Sequence, residues 1–395
     1  MMQIKDEGIK DIQRYKVKPS FSKKDCEDAI GFILKKIDEN LDTFTYKFPD
    51  SASVNNIYPA IDNVEWTSSF WTGMLWLAYE VTGDEKYRKV ADIHMKSFKK
   101  RMDEKIEVNH HDMGFLYTLS CVAGYRLTGN EEAKQTAIDA ADQLLTRFCE
   151  KAGIIQAWGD MKDPNQRGRM IIDCCMNLPL LYWTSEVTGD DKYKNIAYSH
   201  AKQAEKYIVR EDSSTFHTFY IDTETGEPRF GKTHQGYSDS SCWARGQAWG
   251  IYGFPLSYNY MPDSEFITLP KKLTNYFLNR LPEDFVCYWD LIFTEGNEER
   301  DSSAAAIAAC GLLELTKHMP LTDEYKEPYE NAALKIVKSL SENYTTVTVP
   351  ESNGILLHAV YGKPMNNGVD ECNIWGDYYY FEALVRLLKD WKLYW

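Results

Sequence analysis

The sequence predicts an all-α fold, a ring of about six helical hairpins, on three observations. One helix–glycine–helix phrase recurs three times, the second helix of each copy carries a clean 3.6-residue stripe, and weaker copies of the unit fill the rest of the chain. Taken in order, a first helix is expected over 23–40. The phrase then appears as LAYEVTGDEKY (77–87), AGYRLTGNEEA (123–133) and TSEVTGDDKY (184–193). At its centres, Gly83, Gly129 and Gly189 suit the left-handed residue that ends a helix, and the Asp or Asn that follows suits the N-cap of the next. The stripes are Tyr87, Val90, Ala91, His94 and Phe98; Ala133, Thr136, Ala137, Ala140 and Leu144; and Tyr193, Ile196, Ala197, His200 and Ala204. His94 and His200 share one repeat position and are read as structural. Weaker units join 243–260 to 264–280 through MPDSEF, and 301–318 to 325–341 through PLTDEYKE. A last helix over 376–391 meets the first and closes the ring. No composition shift marks a boundary, so residues 1–395 are read as one domain with a short polar N-terminal extension over about 1–20.

Composition narrows the partners. Asp plus Glu is 59 against 45 Lys plus Arg, a net charge of −14, which argues against nucleic acid. An acidic chain that binds an anion needs local cations. No apolar run is long enough to span a bilayer, so no membrane partner is expected. The N-terminal MMQIKDEGIKDIQRYK lacks the apolar stretch of a signal peptide, and nine scattered cysteines without a CxxC pair read as reduced thiols. Both point to the cytoplasm.

Counting back from the turns locates a candidate site. Trp66 lies 17 residues before Gly83, Asp112 17 before Gly129, Asp173 16 before Gly189, and Arg245 17 before Pro262 in the analogous turn. At 1.5 Å per residue, each sits about 25 Å from its turn, at the opposite end of its helix. In a ring, these four residues gather on one rim. Asp112 opens an apolar helix in NHHDMGFLYTL, where an N-cap role is the commonest alternative. Asp173 lies inside the apolar run RMIIDCCMNLPLLYW, where desolvation would raise its pKa into the range of a general acid; capping or pairing with a buried cation is the alternative. Two carboxylates in unlike environments suit glycosidase acid/base work. His110 and His111 are adjacent and not spaced i, i+3 or i+4, so no metal is expected. Arg245 and Trp249 share a helix face, where Arg could grip a carboxylate and Trp stack on a sugar; a structural network of Arg245 with Asp239 is the alternative.

Together HHDMGF, IIDCCMNLPLLYW, THQGYSDSSCWARGQAWG and NIWGDYYYFEAL, in this order from about Trp66 to Tyr380, resemble the unsaturated glucuronyl hydrolases, glycoside hydrolase family 88. The resemblance implies an (α/α)6 toroid and no cofactor. It implies removal of a Δ4,5-unsaturated uronic acid from the non-reducing end of glycosaminoglycan fragments by hydration of a vinyl ether. In that scheme Asp173 protonates C4 and helps water add at C5, and Asp112 binds ring hydroxyls and tunes Asp173. Trp66, His111, Trp158, His217, Gln235, Arg245 and Trp249 fall at positions that line the family's pocket. Arg245 and Gln235 would recognise polar substituents, the uronate carboxylate among them. The loop YGKPMNNGVDEC (361–372) departs from the pattern of members that favour sulfated disaccharides: Gly362, Met365 and Asn367 stand where Ser and Lys are sought, and Lys363 is the candidate to compensate. Competing readings are an unsaturated rhamnogalacturonyl hydrolase of pectin breakdown, a non-catalytic glycan-binding toroid and a sugar epimerase.

Overall fold

A computed structural model describes residues 4–395. Six helices form an inner ring: Ser68–Thr82, Met113–Thr128 (in three segments), Leu178–Thr188, Ala244–Tyr260, Ser302–His318 and Ile374–Leu388. Each packs on the next, and the last returns to the first. Six more surround them: Lys23–Phe44, Glu85–Asp103, Glu131–Leu145, Asp191–Tyr207, Glu265–Leu278 and Lys326–Asn343. The two sets read differently in sequence for a physical reason. Outer helices bury one stripe, while inner helices are covered on nearly all sides and are apolar or small all round, as in Ala304–Ala309. This is the expected (α/α)6 toroid, closed by the first and last helices.

The repeated turn does what its residues dictate. Gly83, Gly129 and Gly189 have φ of 70°, 70° and 74°, and their N–H groups donate to the carbonyls of Tyr79, Tyr125 and Ser185. Asp84, Asn130 and Asp190 then accept from Lys86 N, Ala133 N and Lys192 N as N-caps. His94 bonds Thr72 Oγ1 and the Phe44 carbonyl, and His200 accepts from Ile155 N. Burial lowers the pKa of these two to about 4 and about 3, so both are neutral packing groups.

Of the polar extension expected over 1–20, residues 1–3 lie outside the described residues, and the remainder is strapped to the ring. Tyr15 is buried and donates to the Leu278 carbonyl, Arg14 Nη1 donates to the Leu281 carbonyl, and Lys10 N donates to Asn279 Oδ1.

Two inner elements depart from α-helix where the site forms. Ile172–Met176 is a 3-10 turn, and Thr118–Val122 is a π turn. A 3-10 turn rises about 2.0 Å per residue, so the shorter 16-residue count from Asp173 to Gly189 still brings Asp173 to the same rim as Asp112. The helical turn Met113–Tyr117 that follows Asp112 meets the end of the 3-10 turn at Gly114, where an added Cβ would stand 2.3 Å from the Asn177 backbone. Asn177 Oδ1 in turn accepts from Phe115 N at 2.7 Å. Gly114→Ala is therefore expected to cost about 3 kcal/mol, since the obstacle is backbone, and to lower kcat by moving the two carboxyls apart. Thermal unfolding and turnover of the variant check this; wild-type values for both would contradict it.

Candidate active site

The rim opens into a cavity of about 410 Å³. All nine residues singled out from the sequence line it: Asp112 and Asp173, with Trp66, His111, Trp158, His217, Gln235, Arg245 and Trp249. Its floor is closed by packed aromatics. Phe115 and Trp249 are 5.4 Å apart, Trp249 and Tyr379 5.5 Å, and Trp395 stacks on Tyr379 at 6.0 Å, so the ring axis is a blind pocket.

Asp112 stands in the N-cap position of its helix but makes no capping bond. Its Oδ1 lies 3.4 Å from His111 Nε2 and accepts from Asn177 Nδ2 at 3.4 Å, and its Oδ2 is 3.2 Å from His110 Nδ1. Asp173 follows the strand Arg169–Ile171 directly. Its Oδ1 is cut off from solvent and has no hydrogen-bond partner, with His111 Nε2 3.4 Å away. Burial, and next the negative charge of Asp112, push the Asp173 carboxyl well above the usual carboxylate range, against the opposing field of Arg245. Burial pushes Asp112 up as well, but the two histidines and Asn177 outweigh it and leave its pKa below the usual value. The opposite shifts favour the neutral form at Asp173 and the charged form at Asp112. His111 is buried, with its pKa lowered to about 4, so a neutral ring sits between the carboxyls.

His110 and His111 both approach Asp112, at Oδ2 and Oδ1 respectively. Donor atoms of His111, Asp112 and Asp173 lie within 4.8 Å of one another, and this trio is where a cation could be held. The raised pKa of Asp173 weakens the trio as a divalent-metal site, since a metal ligand must give up its proton. Exhaustive treatment with EDTA is expected to leave turnover unchanged; a loss restored by a divalent ion would reassign the trio.

Arg245 corrects the alternative reading of its partner. Its guanidinium is 1% exposed and pairs with Asp301, not Asp239, at 3.1 Å. Nη1 also donates to the Val360 carbonyl at 2.5 Å, and Nη2 to the Tyr361 carbonyl at 2.7 Å and Gln235 Oε1 at 3.5 Å. Trp243 and Trp375 flank it at 4.4 and 5.0 Å. The fork that could grip a substrate carboxylate is thus largely occupied, and Arg245 acts as a fixed charge that holds the Ala359–Gly362 strand against the pocket. Asp239 instead accepts from Thr233 N.

The aromatics divide by exposure. Trp249 is buried in the floor, Trp66 stacks on Trp375 at 5.4 Å and donates to Tyr361 Oη, and Trp158 stands at the mouth, 36% exposed. His217 is buried and not at the surface; its Nδ1 bonds Thr218 Oγ1 at 2.6 Å, and burial lowers its pKa to about 3. In the 361–372 loop, Met365 and Asn367 line the cavity and Gly362 does not. Lys363 is held away from it by Glu298, at 3.1 Å, and Glu299. The expectation that this ammonium reaches into the pocket is corrected: two carboxylates outcompete it.

Sequence reasoning missed His234, Trp243, Tyr361 and Asp301. His234 and Trp243 stood inside the quoted THQGYSDSSCWARG segment and Tyr361 opens the quoted YGKPMNNGVDEC loop, whereas Asp301 comes from a distant segment with no local signal of a tie to Arg245.

A blind, aromatic-walled pocket with two carboxyls whose pKa values are pushed apart, at the rim of an (α/α)6 toroid, defines a glycosidase-type enzyme. The profile of Glycosyl Hydrolase Family 88 matches residues 36–389, and the chain belongs to that family of glycoside hydrolases. It is 50% identical over 393 residues to the unsaturated chondroitin disaccharide hydrolase of Streptococcus agalactiae serotype III (strain NEM316), covering 99% of this chain and 98% of the relative. A crystal structure of unsaturated glucuronyl hydrolase from Streptococcus agalactiae superposes with a TM-score of 0.97 at 50% identity, over 100% of this chain and 99% of that one. A mutant of that enzyme complexed with dGlcA-GalNAc6S superposes with a TM-score of 0.90 at 47% identity, over 100% and 99%.

Proposed function

We propose that this enzyme removes Δ4,5-unsaturated uronic acid from the non-reducing end of glycosaminoglycan oligosaccharides, the products of chondroitin, hyaluronan or heparin lyases, by hydrating the vinyl ether. The observation that carries the reading is Asp173: a desolvated carboxyl beside an ionised Asp112, with one oxygen free of any protein partner. Such a group holds its proton at neutral pH and can deliver it to carbon. The proton goes to C4, the positive charge that develops at C5 and the ring oxygen is met by water, and the water's proton returns to Asp173. The hemiketal at C5 then opens by breaking C5–O5, leaving a ketone at C5 and a hemiacetal at C1, and collapse of that hemiacetal to the aldehyde releases the saturated sugar. Asp112 holds a negative charge close by and is free to accept from ring hydroxyls, while the neutral His111 keeps the two carboxyls in register. Trp66 and Trp158 offer faces for the sugar rings, His217 and Gln235 offer polar contacts, and Trp249 forms the floor.

Pocket chemistry also bears on sulfate. With Met365 and Asn367 in the wall and Lys363 engaged by Glu298 and Glu299, no free cation of the 361–372 loop faces the second ring. Comparable turnover of sulfated and non-sulfated unsaturated chondroitin disaccharides is expected, and a strong preference for the sulfated form would overturn this. The same assay tests the reaction itself. The near-ultraviolet absorbance of the C4=C5 bond should disappear on incubation; its persistence with every glycosaminoglycan disaccharide, but loss with a pectin-derived one, would move the substrate class. A cytoplasmic site of action is in keeping with nine unpaired cysteines, all buried but Cys149. No helix among the described residues is long and apolar enough to cross a membrane.

A further inference from the structure

The small sheet beside the pocket carries charge out of keeping with a chain of net charge −14. It is built of Arg169–Ile171, Thr218–Ile221 and Pro228–Lys232, in that order, with the last strand at the edge. Register places Arg169 opposite Tyr220 and Tyr220 opposite Phe230; the parallel row is Ile171, Thr218 and Lys232. Residues two apart on a strand face the same way, so both rows lie on one face of the sheet; Arg229 is the extra residue of a bulge opposite Tyr220 and Ile221, and its guanidinium comes within 5.9 Å of the Tyr220 ring on that face. That face is continuous with the pocket, because Ile171 lines the cavity and the Arg169 guanidinium lies 3.6 Å from the ring of Trp158 at its mouth. Moving outward, Arg169 Nε donates to Tyr220 Oη at 2.9 Å, the Tyr220 and Phe230 rings are 4.9 Å apart, and the Arg229 guanidinium is 5.3 Å from the Phe230 ring. At about 4.8 Å per strand, the edge lies about 10 Å from the pocket strand.

Arg169 donates to the Trp158 carbonyl at 3.3 Å and Arg229 to the Pro164 carbonyl at 3.4 Å, but no carboxylate of the described residues meets the strip. Phe230 is 46% exposed, and Arg229 and Lys232 are exposed. Among the described residues none of Arg169, Arg229 and Lys232 joins an ion pair, although neighbouring Arg167 pairs with Glu224 at 3.1 Å. Guarding a sheet edge against pairing would account for Pro228 and Lys232. It gives no reason for Arg169, only 8% exposed and without a carboxylate, or for a solvent-facing phenylalanine between two free cations. The charge also reaches the pocket: after burial, the fields of Arg169 and Lys232 lower the pKa of His234 in its wall.

We propose that this face, with Phe230 flanked by Arg229 and Lys232, binds the anionic sugar units of substrates longer than a disaccharide, a ring stacking on Phe230 and carboxylates meeting the two cations. This rests on the substrate class argued above and extends it from the terminal disaccharide to the chain behind it.

The test uses unsaturated hyaluronan di- and tetrasaccharides, whose only anionic groups are carboxylates, with the wild type and an Arg229→Ser, Phe230→Ser, Lys232→Ser triple variant. The tetrasaccharide should show a KM roughly tenfold below that of the disaccharide at low salt, and the gain should shrink as salt rises. In the triple variant the gain should vanish while the disaccharide constants stay unchanged. An equal gain in both proteins, or none in the wild type, would overturn the proposal. Calorimetric titration of both oligosaccharides into Asp173→Asn chains, with and without the triple substitution, reads the same length effect without turnover. If the wild type consumes neither substrate, the reaction assigned above fails, while tighter tetrasaccharide binding that the triple substitution abolishes still supports the strip, and its absence rejects it.

Discussion

Asp173→Asn is expected to lower kcat by about 10²–10⁴-fold, the range associated with loss of a positioned general acid, with little change in substrate affinity. The amide fills the same space but has no proton to give. A companion measurement separates loss of the acid from loss of shape. In the wild type the rate should fall as pH rises through the raised pKa of Asp173, because only the protonated form donates. The causes of that elevation are burial and then the charge of Asp112, so Asp112→Asn removes the second and leaves the first. Residual activity of Asp112→Asn should therefore show its alkaline limb at lower pH than the wild type. An unmoved limb would mean that Asp112 does not raise the pKa of Asp173, and substantial turnover by Asp173→Asn would give the acid role to another group.

A second large effect is expected at Asp301, which touches no part of the cavity. Its Oδ2 accepts from Arg245, while Oδ1 accepts from Ser303 N and Ala304 N as the N-cap of the Ser302–His318 helix. Both partners of the pair are sealed from water, at 1% and 0% exposure. Asp301→Asn keeps the shape and the capping acceptor but leaves a buried guanidinium without its counter-charge, a loss of about 3–5 kcal/mol of stability. Differential calorimetry would show it as a lowered Tm. Since Arg245 opposes the elevation of Asp173, an Arg245 no longer neutralised should also pull the alkaline limb of the rate to lower pH. Replacing both partners while keeping the cap, Arg245→Met with Asp301→Asn, should recover part of the stability, because the unpaired charge is gone, yet leave turnover low because Arg245 no longer holds the Val360 and Tyr361 carbonyls. Full stability in Asp301→Asn would show that water or another group already compensates Arg245.

These two predictions differ in how far the sequence could have reached them. Asp173 was legible because an ionisable residue interrupted a run of Ile171, Ile172, Cys174 and Met176, and a local pattern of that kind has few bland explanations. Asp301 was not, since an aspartate before an alanine-rich helix reads as a cap, and it is one. Only the approach of the Ala244–Tyr260 and Ser302–His318 helices gives it Arg245 as a second partner. The same limit misdirected the sequence reading of Arg245, for which the nearby Asp239 was the alternative partner, and of Lys363, whose partners Glu298 and Glu299 lie about sixty residues away.

By itself the sequence determined the hairpin, its turn and the number of repeats, because each depends on local chemistry: a glycine that accepts φ near +70°, an Asp or Asn that caps, and a stripe that repeats with the helical period. It also determined that Trp66, Asp112, Asp173 and Arg245 share a rim, because helix rise converts a residue count into a distance. Tertiary structure decided which groups on that rim are free to act. Whether Arg245 grips a ligand or a neighbouring helix and whether Lys363 reaches the pocket depend on charges brought together from far along the chain, and Asp112 turns from capping toward His111 beside Asn177, 65 residues on. Opposite charges attract more strongly the further they are from water, as for Arg245 and Asp301, so such pairing, invisible in the order of residues, outweighs local preferences for position.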